Sequence, residues 1–464
     1  MKTSIIRSTW LAKGGYRLDC SPYLGGALEA QVLLEELTAR KDPLGAVTVD
    51  IFNGPQFVRN YLDNPDLGVP FMTGSSMKLA DLSRLPLLSK KDAHSKKLRH
   101  LAIKPGMTLI SCSGTIGQMA YARPEMVGIW ASQDVLKVVP DTAKILSGYL
   151  YAFLSSKYGI PLITSGTYGG IIQHLEPEHI SGLPVPRFGT ALEKKIHNLV
   201  EEAAVLRTNA TDFFLKKLEE LERKAGLIKT CVLRRLDHQV SGVVLSSKLG
   251  SRFDTNFHSP LHYRVIDQFD KTRVKSIRVG AIAASIVEPP RFKRIKHDDP
   301  VHSVPLFGTG GIGDVDPQPI SWITEFPGHQ AYVVGRKAVL IPRSGQLNGI
   351  IGTATLPIGA VRTGVVSEHA IRINCHDEMD AGYLYLALSS QTGLIQLKAR
   401  AFGGSIPTLD VANVASVLIP ALSPKERKHL GSEAYRVATM RTEALEKESK
   451  ARELLVQAIE SNAS

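Results

Sequence analysis

The chain holds only four cysteines in 464 residues, Cys20, Cys112, Cys231 and Cys375. They lie far apart and no two show metal-ligand spacing, which excludes a disulfide framework and predicts reduced thiols in a cytoplasmic protein. No Gly-Lys dipeptide occurs anywhere, so the phosphate loop of a Walker-type motor is missing. HExxH, CxxC and GxSxG are absent as well, which removes the spacings that pair zinc ligands, couple two thiolates or raise a nucleophilic serine on a sharp turn. The opening MKTSIIRSTW lacks the unbroken apolar core of a signal peptide, and no stretch reaches the length of a membrane span. A non-catalytic protein without metal or cofactor of its own, and without a membrane partner, is expected.

What is present is enough apolar material, 43% of residues, to give two ordinary domains a core each. The formal charge is +12, from 56 Lys and Arg against 44 Asp and Glu. Such a balance favours a polyanion as partner, since each phosphate neutralised releases counterions.

The chain also says the same thing twice. Asp19 in RLD and Asp254 in RFD differ by 235, and this offset carries Gly45 to Gly280, Pro55 to Pro290, Arg59 to Arg294 and Val69-Pro70 to Val304-Pro305. At offset 234, GYLY at 148 to 151 returns at 382 to 385, Ser155-Ser156 as Ser389-Ser390, and Gly169-Gly170 as Gly403-Gly404. Two copies of one domain exclude most single-site enzymes and predict two related contacts with one partner.

Within each copy, short apolar runs are broken by Gly and Pro: GMTLIS, DVLKVVP and GLPVPRF in the first, KAVLIP, HAIRIN and SVLIP in the second. These read as strands of a twisted sheet. YLYAFLSSKYG and YLYLALSSQTG have helical spacing and end at Gly, so each reads as a short helix closed by that glycine. The expected fold is α+β.

From Thr190 the texture changes. Thr190 and Glu193 form a capping-box pattern, and no Pro or internal Gly follows until Gly226. The apolar positions Leu192, Ile196, Leu199, Ala203, Leu206, Ala210, Phe214, Leu218, Leu221 and Ala225 trace a coiled-coil seam with a stutter. Ser423, Pro424 and Glu426 open a matching helix through Leu430, Ala434, Val437, Leu445, Leu454 and Leu455, whose seam is weakened by Arg441 and Glu448. A helix of about 35 residues is on the order of 50 Å long and cannot bury its stripe on a small domain alone. The expected partner is the other long helix, antiparallel, with a globular domain at each end. The organisation is thus a first domain 1–189, a helix 190–227, a second domain 228–422 and a second helix 423–464.

Two strings suggest chemistry and fail on context. GTGGIG at 308 to 313 fits a dinucleotide fingerprint, but Pro317 and Pro319 forbid the helix that would hold a pyrophosphate, so it and its counterpart MTGSS at 72 to 76 read as surface loops. EPPRF at 288 to 292 faintly suggests a methyltransferase loop, but its equivalent NGPQF at 53 to 57 has lost the pattern and it reads as a turn. Cys112 in SCSGTIG has no identifiable base.

Charge sits in better-defined places. SKKDAHSKKLRH carries Lys90, Lys91, Lys96, Lys97 and Arg99, and RFKRIKH carries Arg291, Lys293, Arg294 and Lys296. Both runs lie in irregular, turn-rich stretches and suit phosphate clamping beside variable base-reading segments. Loops around Ser113, Gly114 and Thr115, Tyr168, Gly169 and Gly170, Arg343 and Ser344, and Arg400 and Phe402 are candidates for the DNA face, because Gly-rich turns let backbone and short polar groups approach base edges; the alternative is that they are tight turns that merely close the sheet.

The order LISCSGTIGQMAYAR, ASQDVLKVVPD, GYLYAFLSSKYG, GTYGG and LPVPRF, repeated as LIPRSGQLNG, VSEHAIRIN, GYLYLALSS, AFGGSIP and VLIP, resembles the DNA specificity subunit of Type I restriction-modification enzymes over nearly the whole chain. The second copy replaces SGTIG with SGQLNG and Gln133-Asp134 with Glu368-His369. The resemblance implies two target recognition domains, each reading half of a split double-stranded DNA sequence. It also implies helices that act as a ruler and bind methyltransferase subunits, two of them, with S-adenosylmethionine held in those partners and a translocating restriction subunit as a further partner. Half-sites read about 50 Å apart would be separated by up to roughly fifteen base pairs, and differing loops imply an asymmetric target. A fused methyltransferase or nuclease with diverged motifs, and a coiled-coil adaptor that binds no DNA, are the alternative readings.

Overall fold

Apolar runs become strands here because each can divide its side chains between two cores. The computed structural model describes residues 5–6, 8–13, 23, 25–165, 174–229, 242–250, 252–272, 274–291, 293–297 and 299–463. Two compact units result, one from Met1–Thr208 with Glu443–Ser464 and one from Asn209–Thr442.

In the first unit the strands are β1 (Lys41–Pro43), β2 (Thr48–Phe52), β3 (Tyr61–Leu62), β4 (Gly68–Met72), β5 (Leu87–Ser89), β6 (Thr108–Ser111), β7 (Met119–Tyr121), β8 (Trp130–Ala131), β9 (Val135–Pro140) and β10 (Pro184–Pro186). They form sheets in the orders β2-β9-β6-β7 and β3-β5-β4-β8 and the antiparallel pair β1-β10. Neighbours on β6 and β9 alternate between cores: Ile110, Leu136 and Val138 face one cluster, while Leu109 and Val135 face another. The period of two puts successive residues on opposite faces, and both faces are covered, hence runs that are largely apolar, with Lys137 of β9 as a buried exception.

The second unit repeats this plan with β11 (Ser276–Arg278), β12 (Ser285–Val287), β13 (Ser303–Phe307), β14 (Ser321–Thr324), β15 (Ala338–Pro342), β16 (Val365–Val366), β17 (Ala370–Asn374) and β18 (Leu418–Pro420). Its sheets run β12-β17-β15 and β14-β13-β16, with the pair β11-β18. The first unit's sheets are each one strand wider, by β7 and β3. The one parallel pairing of each unit also recurs, β4 with β8 and β13 with β16.

The repeat extends to single atoms. Tyr149 Oη donates to the Pro186 carbonyl at 2.5 Å, and Tyr383 Oη to the Pro420 carbonyl at 2.6 Å. A buried cation occupies the same place in each central strand: Lys137 Nζ donates to the Ser132 carbonyl at 2.9 Å, and Arg372 donates to the carbonyls of Val333 at 2.8 Å and Ala331 at 2.9 Å. Both bind a neighbouring backbone segment, which offsets only part of the cost of burial: it still pushes Lys137 down to about 7 and lowers Arg372.

The glycine after each YLY helix does not cap it. Ser147–Leu154 and Glu378–Ser389 stop before it, and a second helix, Gly159–Ser165 or Gln391–Arg400, begins. The serine between them caps that second helix, with Gly159 and Gly393 N–H donating to Ser156 and Ser390 Oγ at 3.0 Å each. A Cβ at Gly159 would lie 2.5 Å from the Leu154 carbonyl oxygen, and one at Gly393 2.7 Å from Leu388 Cα. The glycines permit a tight corner. The leading glycines of the GYLY pairs serve packing on the long helices: a Cβ at Gly148 would lie 2.8 Å from the His197 carbonyl oxygen, and one at Gly382 would fall well inside contact distance of the Gly431 carbonyl oxygen.

The long helices span Thr190–Ala225 (36 residues) and Pro424–Asn462 (39 residues). In the first unit Ile196, Val200 and Ala204 share a core with Ala451, Leu455 and Ile459. In the second, Ala210, Phe214, Leu218 and Leu221 share one with Leu430, Ala434, Val437 and Ala438. In the second unit the pairs Lys217–Glu433 at 3.6 Å and Lys224–Glu426 at 3.4 Å run in opposite order along the two helices, which makes the helices antiparallel there, and in the first unit Lys447 meets Glu202 at 2.8 Å. Ser423 and Glu426 do form a capping box, Ser423 Oγ lying 2.7 Å from the Glu426 carboxylate. At the first helix Glu193 instead accepts from Phe188 N–H at 3.2 Å and Arg187 at 2.8 Å. Arg441 and Glu448 are both buried rather than turned to solvent. Arg207 meets Glu448 at 2.6 Å, and Arg441 donates to Tyr385 Oη at 3.2 Å.

Candidate nucleic-acid interface

The first basic run forms a compact surface patch because two apolar residues turn inward and the cations do not. Ala93 and Leu98 join a core with Val69, Phe71 and Trp130, while Lys90, Lys91, Lys96, Lys97 and Arg99 are all exposed. Lys90 Nζ holds the Asp66 carbonyl at 2.9 Å and Lys97 Nζ the Gln56 carbonyl at 3.0 Å, leaving donors to spare on each ammonium.

Ser113, Gly114 and Thr115 lie in the turn after β6, which is tied by Ser111 Oγ to the Thr115 carbonyl at 2.5 Å. Gly114 has φ 75° and open space beyond its Cα. Tyr168, Gly169 and Gly170 lie outside the described residues, as do Cys20 and Cys231. Arg291, Lys293, Arg294 and Lys296 are exposed. Arg294 is not free for a phosphate, because its guanidinium bonds Glu368. Arg343 is half-buried and bonds both Glu288 and, at 3.1 Å, the Leu409 carbonyl. Ser344 bridges Thr408, which also bridges the exposed Phe402.

Arg400 is a correction. It is only 7% exposed, with Nε donating to Ser416 Oγ at 3.0 Å and Nη1 meeting His262 Nε2 at 3.0 Å. Since arginine only donates, His262 must accept through Nε2 and be neutral, with Nδ1–H donating to the Phe257 carbonyl at 2.6 Å. Burial first, then Arg400 and Arg252, push His262 down to about 4 against the bond that favours its charged form. Arg400 therefore braces the segment ahead of β11 and has no surface to offer DNA.

Three strand ends meet at one edge of the β12-β17-β15 sheet. Because β17 is antiparallel to both neighbours, its start adjoins their ends, with Val287 opposite Arg372 and Pro342 opposite Ala370. Glu288, Arg343 and His369 are thereby gathered, and together with Pro289, Pro290, Arg291 and Glu368 they line an open concavity of about 190 Å³. The same edge of the first unit carries Asn53, bonded to Glu176 at 2.6 Å, and Arg59, bonded to Asp134 at 2.9 Å. Of the residues lining the concavity, the sequence marks Arg291 and Arg343 as DNA-contact candidates. The signal for the others was the replacement of Gln133-Asp134 by Glu368-His369 directly ahead of a repeated strand.

Burial pushes the Cys112 and Cys375 thiols up to about 12, so neither is a thiolate at neutral pH. GTGGIG and MTGSS are turns with no helix behind them. Among the described residues no group of His, Cys, Asp and Glu could hold a metal ion, and no helix is long and apolar enough to cross a membrane.

No protein-family profile matches the sequence, and no curated protein does. Among solved structures, the chain is similar to the Type-I restriction-modification system S subunit from M. genitalium, with 12% identity and a TM-score of 0.32 over 92% of this chain and 95% of that one. The HsdS subunit from Thermoanaerobacter tengcongensis is similar at 13% identity and TM-score 0.28, over 91% and 96%. A chain of the type I R-M system, described for its complex assembly and conformational transition, is similar at 14% and 0.25, over 91% and 97%.

Proposed function

We propose that this chain is the DNA specificity subunit of a Type I-like restriction-modification or methylation-only complex. Each unit reads one half of a split, asymmetric target. The observation that carries this reading is the repeat itself: two units of the same strand order hold the same framework contacts, Tyr149 to Pro186 and Tyr383 to Pro420, yet differ in the polar residues at the matching sheet edge. A shared frame with unlike surface residues is what two different half-sites ask for, and the positive balance of the chain supplies sequence-independent attraction to the duplex.

The two long helices set the unread spacing between half-sites. Their outer faces, together with the units, dock the methyltransferase subunits, which bring S-adenosylmethionine. Adenine methylation then requires those partners to extrude the base. Lys90, Lys91, Lys96, Lys97 and Arg99, with Lys293 and Lys296, contact phosphates.

Exchange of residues 14–189 for the matching domain of a related subunit tests this. Binding selection from random duplexes is expected to change one half of the selected sequence and leave the other. A change in both halves, or selection of no sequence by the parent complex, refutes the two-reader assignment.

A further inference from the structure

The concavity at the edge of β12, β17 and β15 is chemically unlike a phosphate clamp. The guanidiniums in and beside it are already paired: Arg343 with Glu288 and the neighbouring Arg294 with Glu368, and Arg291 Nε stands 3.8 Å from Glu368. His369 Nδ1 lies 3.4 Å from Ser344 Oγ. Carboxylates that offset the arginines remove most of the pull on a phosphate. They leave forked donors and carboxylate acceptors held in fixed directions, which is the chemistry that distinguishes base edges in the major groove.

Accessibility is graded in the same sense. The Glu368 and Arg343 side chains are only 15% and 18% exposed, whereas Arg291 is 86% exposed at the rim. The backbone clamps the floor, since Arg343 N–H donates to the His369 carbonyl at 2.8 Å and Leu409 N–H to the Arg343 carbonyl at 2.7 Å. Such a floor restricts the rotamers of the groups above it, a requirement for discrimination rather than mere attraction.

The first unit supplies an independent comparison inside one chain. At the matching edge Asn53 stands for Glu288, Gln133 for Glu368 and Asp134 for His369, while Arg59 and Arg294 are the same residue at offset 235. Arg59 is again paired to a carboxylate, Asp134, at 2.9 Å. The frame and one braced arginine are kept, and the residues around them are exchanged.

We propose that this sheet-edge cluster is the base-reading site of the second unit, with Arg291, Arg294 or Arg343 directed at a guanine edge and Glu288 or Glu368 at a cytosine amino group, while phosphates are left to the lysines outside it. The inference rests on the specificity-subunit reading and names the residues that perform it.

The test compares the full chain, in its complex, as parent, as the isosteric variants Glu288→Gln and Glu368→Gln, and as the charge-removing Arg294→Gln. Each is offered a pool of random-sequence duplex DNA, followed by sequencing of the bound fraction. The expected result is a loss of about tenfold or more in preference at one or two positions of a single half-site, with unchanged salt dependence on unrelated DNA. Arg291→Gln, at the exposed rim, repeats the test where a buried substitution unfolds the unit. Uniform weakening on all sequences with a flatter salt slope makes these residues phosphate contacts and overturns the inference, as does an unchanged motif. A parent complex that selects no motif overturns the specificity-subunit reading instead, so the two failures are told apart.

Discussion

Removing one member of the Arg207–Glu448 pair is expected to cost far more than removing both. The two side chains are 5% and 2% exposed and 2.6 Å apart, so each is stripped of water and depends on the other. Breaking a buried pair from one side generally costs about 3–5 kcal/mol, whereas replacing both by apolar groups is neutral or stabilising. The structure ranks the singles. Glu448 retains Arg452 at 3.8 Å when Arg207 is lost, and a carboxylate can also escape by taking a proton. Arg207 cannot shed its charge near neutral pH. Arg207→Leu is therefore expected near about 3 kcal/mol and Glu448→Leu near about 5, while the double leucine variant stays within about 1 kcal/mol of the parent or above it.

The assay is a double-mutant cycle by urea unfolding, with hydrogen exchange of the segments around 196–207 and 448–459 to localise the effect, because a chain of two units need not unfold in one step. The pair also adds a pH signature. Burial would raise the Glu448 carboxyl, but Arg207 and Arg452 outweigh it and hold the group well below the usual range. A depressed carboxylate contributes stability above about pH 4.3 that is lost as pH falls further, and the double variant should lack that loss. Single variants that cost under about 1 kcal/mol, or a double variant as unstable as the sum of the singles, would refute the reasoning.

Gly382→Ala places a methyl group against the Gly431 carbonyl and is expected to cost about 3 kcal/mol or more. Gly313→Ala, with nothing within 4 Å, should change the unfolding free energy in urea by less than about 0.5 kcal/mol; equal effects would deny the close helix approach. His262 has a folded value of about 4 against 6.5 unfolded, so the unfolded chain binds the extra proton between those values and stability falls as pH drops through the window. His262→Gln should flatten the dependence of melting temperature on pH there, and an unaltered slope would mean that His262 titrates as an ordinary histidine. Replacing Lys96, Lys97 and Arg99 by Ala should weaken all duplexes alike and reduce the salt slope by up to about three, whereas loss confined to one base pair would make them base contacts.

How much of this was legible in the sequence depends on the range over which each feature is decided. Strands such as β6, β9 and β15 are legible because largely apolar runs between Gly and Pro need only a sheet covered on both faces, and the long helices because their seams repeat locally. The glycines after YLYAFLSS and YLYLALSS were misread as caps: a helix-ending glycine and one that permits a corner between two helices look alike until the carbonyls of Leu154 or Ala387 are placed beside them. Arg441 and Glu448 looked like flaws in a seam, since nothing local reveals that Arg207, 241 residues away, satisfies the second.

Arg400 is the instructive failure. A basic residue ahead of a Gly-rich turn has the composition of a DNA-contacting loop, yet its fate is decided by His262, 138 residues earlier, and by Ser416. Arg343 and Arg294, equally basic, were gathered at a sheet edge by strand register, which no window of sequence contains. Composition therefore locates charge along the chain, but topology decides whether a cation braces a core, pairs with a carboxylate beside a concavity, or stands exposed like Lys96. The difference between the copies at positions 133–134 and 368–369 carries more information than charge alone, because a repeated frame removes the structural reasons for a residue to change and leaves what it faces as the remaining one.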